Sequence, residues 1–299
     1  MPQIKEEALL AAGLVFLASI SGCAESSGHA GAGSSAVTLT QGTLFNPSST
    51  GSIQGRVVWQ GAPPRIPLLT SPPDKLAGPV LRKRQVRSNP NAPDIDANSQ
   101  GIRNAVAFLR DVDVRRSKPW DIPPLLIEQR DCQYHVLQAQ ADSRVGIARR
   151  GQEIELVSRD STFYAAHATG AAYFSLTFID PDRPRKRIVR EKGVVELSSA
   201  AGYYWMRAYV LVDDHPYYVR TGGRGDFNLA DVPEGNYELA GWLPNWHELR
   251  HERDPESSVV ARLFFRPAAQ KLMPIQIRAG KVTEVSITFA SADFGEAQP

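Results

Sequence analysis

Gly225-Asp226-Phe227-Asn228-Leu229-Ala230-Asp231-Val232-Pro233-Glu234-Gly235-Asn236-Tyr237-Glu238-Leu239 is the stretch that decides the fold. Its apolar residues alternate with polar ones, the period of a strand with one buried face. Gly225 permits a tight turn before the first run, and Pro233 and Gly235 punctuate the second. Phe227 and Leu229, then Tyr237 and Leu239, point to a core. Working outward, the same pattern recurs at 53–59, 104–109, 134–140, 144–148, 153–158, 173–178, 193–198, 206–213, 216–220, 226–229, 236–243, 259–265, 272–277 and 282–289. Short strands separated by Gly, Pro and Asp turns predict an all-β chain built of β-sandwiches. No long stretch carries a 3.6-residue period outside the N-terminus. Residues 61–101, rich in Pro, Asn and basic side chains, read as an irregular excursion, with Arg82, Lys83, Arg84 and Arg87 on a solvated loop.

The N-terminus has a different character. Ala8 to Ile20 is an unbroken apolar run of thirteen residues. A membrane-spanning helix needs about 20 residues, whereas a signal-peptide core is shorter. The run ends in Ile20-Ser21-Gly22-Cys23, which resembles the lipobox of exported bacterial lipoproteins. That resemblance implies a leader over 1–22, a diacylglycerol on Cys23, and membrane lipid as a partner. Residues 23–50, mostly Gly, Ser, Ala and Thr, read as a flexible tether. The expected location is the cell envelope, on the periplasmic or outer face of a membrane. Beyond Cys23 the remaining cysteine is Cys132, so no intramolecular disulfide is expected. A net charge of +2 gives no footprint for nucleic acid.

Two family resemblances divide the folded part. Gly51 to Gly61 and Asn104 to Leu109, with the later Thr221 to Leu239, resemble a carboxypeptidase regulatory-like (transthyretin-like) β-sandwich. Its signature runs T…G-x-F-x-L-x-x-[LV]-P-x-G-x-Y-x-L and carries no catalysis. Between these pieces, residues 126–213 resemble a cupredoxin of the plastocyanin and methylamine-utilisation kind. The resemblance lies in Arg159 to Ala168, against N-x-D-x-x-x-H-N-V-H-A, and in Ala200 to Met206, against C-x-x-H-P-W-M. The implied organisation is two β-sandwiches, a regulatory-like domain in two parts, 51–125 and 214–299, split by the cupredoxin-like insert.

A type 1 copper centre takes two His, one Cys and a weak axial Met. Aligned to those motifs, Tyr164 stands at the first His, Ala200 at the Cys and Tyr203 at the second His; Met206 alone is kept. The resemblance thus implies an inherited scaffold with a lost copper site, no bound cofactor and no catalysis. The implied role is binding or structural work, with an envelope protein or a glycan as partner. One alternative is a metal or electron-transfer site with displaced ligands, drawn from Cys132, His135 and His167. A second is a zinc hydrolase, because His247-Glu248-Leu249-Arg250-His251 spells H-E-x-x-H. On a helix that string presents two imidazoles and a general base to one zinc ion. Pro244 and Pro255 leave room for about two helical turns, and the charged neighbours Arg250, Glu252 and Arg253 do not suit a buried zinc helix. The aromatic set Tyr203, Tyr204, Trp205, Trp242 and Trp246 reads as core or, alternatively, as a ligand platform. Arg183, Arg185, Lys186, Arg187 and Arg190 read as a solvated hairpin, and Arg224-Gly225-Asp226 as part of the turn signature.

Overall fold

The computed structural model describes residues 44–71, 73, 80–256 and 258–295. The leader, Cys23 and the tether as far as residue 43 lie outside the described residues. The chain is all-β: apart from three short 3₁₀ turns, its regular elements are strands.

Four main sheets carry the architecture. The first has three strands in the order Asp226–Pro233, Thr50–Gln60, Val282–Ala290. The second has four, Tyr218–Arg220, Val106–Arg110, Gly235–Leu243 and Ala269–Ile277, all antiparallel. These two sheets close on a core that includes Ile53, Val57, Trp59, Leu109, Phe227, Leu239, Ile287 and Phe289. The third sheet runs Val145–Arg149, Arg207–Asp213, Gly193–Ser199, Tyr164–Gly170, Phe174–Phe178. The fourth runs Arg185–Ile188, Glu153–Ser158, Leu125–Arg130, Gln133–Gln138, Ala141–Ser143. Their shared core holds Ile127, Val136, Leu156, Tyr164, Leu176, Val195 and Val210. Each pair of sheets buries one face of its strands against the other, which is how a sandwich excludes water. The middle of the chain thus builds one sandwich, and the segments on either side of it build the other.

The two sandwiches are joined by a third apolar cluster. Val106, Phe108, Ala240 and Trp242 of the second sheet meet Val145, Tyr209 and Leu211 of the third. The strand Val106–Arg110 of the second sheet is therefore buried on both faces, which explains the unbroken apolar run Val106-Ala107-Phe108-Leu109. Arg220 crosses the same boundary, donating to Ser143 Oγ and to the carbonyls of Val145 and Gln138.

Several local expectations are corrected. Residues 44–50, assigned by composition to the tether, are docked: Leu44 N–H donates to the Arg115 carbonyl, and Pro47–Ser49 forms a 3₁₀ turn leading into the first strand. The excursion at 61–101 is more ordered than its composition suggests. It contains the hairpin Leu69–Ser71 with Gln85–Arg87, and the pair Asp94–Ile95 with Ile102–Arg103. Buried Asn89 and Asn91 donate to the carbonyls of Trp246 and Asn245, and Tyr209 donates to Asn91. Arg87 leaves the solvated basic loop and lies over Trp205, 5.6 Å from the ring centroid. The strands Leu125–Arg130, Ala141–Ser143, Tyr164–Gly170 and Glu248–Arg253 lie outside the stretches whose pattern predicts strands. In Tyr164–Gly170 three alanines hide the signal: alanine has low β propensity, and here small side chains fit a crowded core.

Candidate functional site

The site begins at a two-residue hairpin loop. Arg130 and Gln133 pair across it, and the central residues Asp131 and Cys132 both have positive φ, 51° and 55°. Such loops favour Asn-Gly or Asp-Gly, because a Cβ is strained at positive φ. Cys132 is held there from three directions. Its N–H donates to the Tyr164 hydroxyl (2.9 Å), and its carbonyl accepts from Trp205 Nε1 (2.9 Å). The preceding Asp131 N–H donates to Asp160 Oδ2 (3.0 Å). Tyr164 in turn donates its proton to the same Asp160 oxygen (2.9 Å). The Thr162 N–H caps the other oxygen of Asp160 at 2.9 Å.

Aromatic rings complete the cluster. Tyr164 and Tyr203 lie 5.6 Å apart by ring centroid, Tyr203 and Trp205 5.9 Å, and Tyr204 and Trp205 5.2 Å. All four rings and the Cys132 side chain are buried. Burial pushes the Cys132 thiol up, and the Tyr164 phenol also. Tyr203 is pushed up to about 12 by burial, with the nearby Cys132 and Asp160 adding to the effect. The thiol and both phenols are therefore neutral at ordinary pH, and the Cys132 sulfur sits 3.9 Å from the Tyr164 oxygen.

The positions aligned with copper ligands thus divide. Tyr164, Tyr203 and Met206 converge in the buried core; the Met206 N–H closes a tight turn on the Tyr203 carbonyl at 2.9 Å. Ala200 is exposed and tied by its backbone to Ala165. His135 and His167 are engaged elsewhere. His135 Nδ1 meets Asp142 at 3.0 Å and Arg130 at 3.2 Å, on the fourth sheet. His167 Nδ1 meets Ser175 at 2.9 Å, on the third. Among the described residues no group of three or more His, Cys, Asp or Glu is placed to hold a metal ion. A type 1 centre needs a thiolate and two imidazoles. What surrounds Cys132 instead is phenol and indole, and these residues do not fit copper.

The H-E-x-x-H string lies on a β-hairpin. Glu248–Arg253 pairs with Val260–Phe265, His251 Nδ1 binds Glu248, and the Arg250 guanidinium stacks 3.7 Å from the Phe264 ring centroid. A helix sets residues four apart side by side, about 5–6 Å between Cβ atoms. A strand spreads the same four residues over about 13 Å. The geometry in which this string binds zinc is therefore not the geometry of this hairpin. Trp242 and Trp246 pack inside the protein, against Tyr209 and against Trp59 and Phe294. The basic run from Arg183 contributes an exposed edge strand, Arg185–Ile188, with Lys186 paired to Glu153. Asp160, the acceptor on which the cluster turns, stands in the motif quoted above, but spacing alone gave it no role.

No family model matches the chain, and no curated protein matches it. Solved structures similar to part of it include an oxidised amicyanin variant, with 13% identity over 30% of this chain and 81% of that one, at a TM-score of 0.23. Another is a reduced copper(I) amicyanin variant, with 12% identity over 36% and 97% and a TM-score of 0.24. A third is a copper-containing nitrite reductase from Thermus scotoductus SA-01, with 12% identity over 32% and 24% and a TM-score of 0.25.

Proposed function

We propose that this chain is a non-catalytic binding or structural module of the cell envelope, held at a membrane by a lipid on Cys23. In this reading its middle sandwich is a cupredoxin-like scaffold that has exchanged a metal centre for a packed polar-aromatic cluster. The observation that carries the reading is the Tyr164 hydroxyl. It is spent on the Cys132 N–H and on Asp160, at the position aligned with a copper imidazole. Replacing a ligand with a group already committed to structural bonds is how a site is converted to scaffold. The setting of Cys132 supports the same view: its sulfur lies 3.9 Å from the Tyr164 oxygen, in a core shared with Tyr203 and Trp205.

Metal analysis of the purified full chain tests it. After copper loading and dialysis, well under one equivalent of copper is expected, with no thiolate-to-copper charge-transfer band. One equivalent of copper with that band, lost in Cys132→Ser, would establish the displaced-ligand alternative. Stoichiometric zinc lost in His247→Ala would establish the hydrolase.

The anchor has its own expected outcome. The chain should fractionate with membranes and carry a diacylglycerol mass on Cys23, and Cys23→Ser should move it to the soluble fraction. Membrane association unchanged in that variant would remove the lipid anchor from the proposal.

A further inference from the structure

Beside the Cys132 cluster lies a cavity of about 240 Å³, lined by three arginines from three parts of the chain. Arg87 comes from the hairpin strand Gln85–Arg87, Arg144 from the turn after Ala141–Ser143, and Arg207 from the start of Arg207–Asp213. Gln133, Ser88 and Trp205 share the lining.

The three arginines are not equally committed. Arg207 is buried, donates to the carbonyls of Met206 and Leu263, and pairs with Glu196 at 3.0 Å. It is a fixed part of the wall. Arg144 donates to Gln133 Oε1 at 2.8 Å. Arg87 donates to Gln85 Oε1 at 3.0 Å, and its buried Nε finds no partner among the described residues. Neither Arg87 nor Arg144 forms an ion pair with a carboxylate of the described residues. Asp142, the acid whose field reaches Arg144, is already held by Arg130 and His135. Burial pushes the Arg144 guanidinium down from its ordinary value.

Arg87 and Arg144 are half-buried, and even partial withdrawal of a cation from water without counter-charge carries a cost that a bound anion offsets. A guanidinium carries five donors in a planar fork that matches a phosphate or carboxylate edge. The volume is below the 300–1,000 Å³ typical of drug-sized ligands, so it admits a small anionic group. We propose that this cavity binds a small phosphate-bearing anion, gripped by Arg87 and Arg144 against the fixed wall of Arg207. The site goes beyond the binding-module reading and does not depend on the absence of copper. Two sources share this chemistry: free phosphate, and the phosphodiester of an anionic lipid headgroup.

Calorimetric titration of the full chain at low salt tests the site, with inorganic phosphate in one arm and glycerophosphoglycerol in the other. One saturable site is expected in at least one arm, weakened by added salt. Tighter phosphate binding identifies the free anion, and tighter diester binding the headgroup. Arg144→Gln and Arg87→Gln should each weaken binding about tenfold, the order of one lost charge-assisted hydrogen bond. Arg183→Gln, on the exposed side of the middle sandwich, should leave it unchanged. If Arg144→Gln does not fold, Arg87→Gln decides, because Arg87 lies on a peripheral hairpin. No saturable heat in either arm would overturn the site, as would binding by both arginine variants as tight as that of the unaltered protein. These outcomes are independent of metal content, so failure here and failure of the metal-free reading are separately visible.

Discussion

Trp242→Ala lowers the stability of the folded protein by about 3–5 kcal/mol, the range for truncating a large buried aromatic side chain. Trp242 is 2% exposed and sits where the two sandwiches meet, edge-on to Tyr209 at 5.4 Å between centroids. Its strand, Gly235–Leu243, turns Leu239 and Leu243 to one core and Ala240 and Trp242 to the other cluster. Truncation therefore opens a void at the junction and leaves each sandwich's own core intact. Urea unfolding followed by fluorescence and circular dichroism measures the loss. A midpoint shift with two separated transitions would show that the junction couples the sandwiches into one unit. A loss below 1 kcal/mol would mean that the cluster of Val106, Phe108, Tyr209 and Trp242 does not hold them together. Tyr209→Ala combined with Trp242→Ala should cost less than the sum of the two, since both empty the same space.

Gly225→Ala is expected to be nearly as damaging, for a backbone reason. Gly225 has φ of 78°, where a side chain costs about 1–2 kcal/mol. A Cβ there would lie 2.2 Å from the Val57 carbonyl oxygen and 2.9 Å from the Gly101 Cα. Both contacts are to backbone, so relief requires the turn to move away from the first strand. That motion pulls on the 2.8 Å bond from Val57 N–H to the Gly225 carbonyl. Overpacking of this kind adds about 1–3 kcal/mol. Gly223→Ala is the control, because a Cβ at Gly223 meets nothing within 4 Å. Equal unfolding midpoints for the two variants would contradict the close approach.

The candidate site was partly legible before the fold. Tyr164, Tyr203 and Met206 could be aligned by motif, and the structure brings them into one buried cluster. Ala200 aligned equally well but faces solvent, because an alignment fixes order along the chain and not the side of the sheet. Cys132 was conspicuous as the cysteine left over, yet its backbone bonds to Tyr164 and Trp205 span 32 and 73 residues. Contacts of that length have no periodicity to betray them. The arginine cavity was invisible for the same reason. Arg87 read as one of four basic residues on a loop, and its approach to Trp205 depends on how the hairpin Leu69–Ser71 with Gln85–Arg87 docks.

The stretch from Gly225 to Leu239 shows where the division falls. By itself the sequence determined that Phe227, Leu229 and Leu239 would be inside, that Gly225 would stand at a turn, and that the chain would be all-β. A strand's alternation is a local property, set by side chains pointing to opposite faces at successive residues. Only the tertiary structure decided that the two runs do not pair with each other. Asp226–Pro233 joins Thr50–Gln60 in the first sheet, while Gly235–Leu243 joins Val106–Arg110 and Ala269–Ile277 in the second. Pro233, Glu234 and Gly235 form the corner between sheets. Inward positions on the two halves of a sandwich carry the same apolar residues, so alternation cannot say which sheet a strand enters. That choice is made by partners distant in the chain, more than a hundred residues away for Thr50–Gln60 and Val106–Arg110, whose edges offer the hydrogen bonds each run needs.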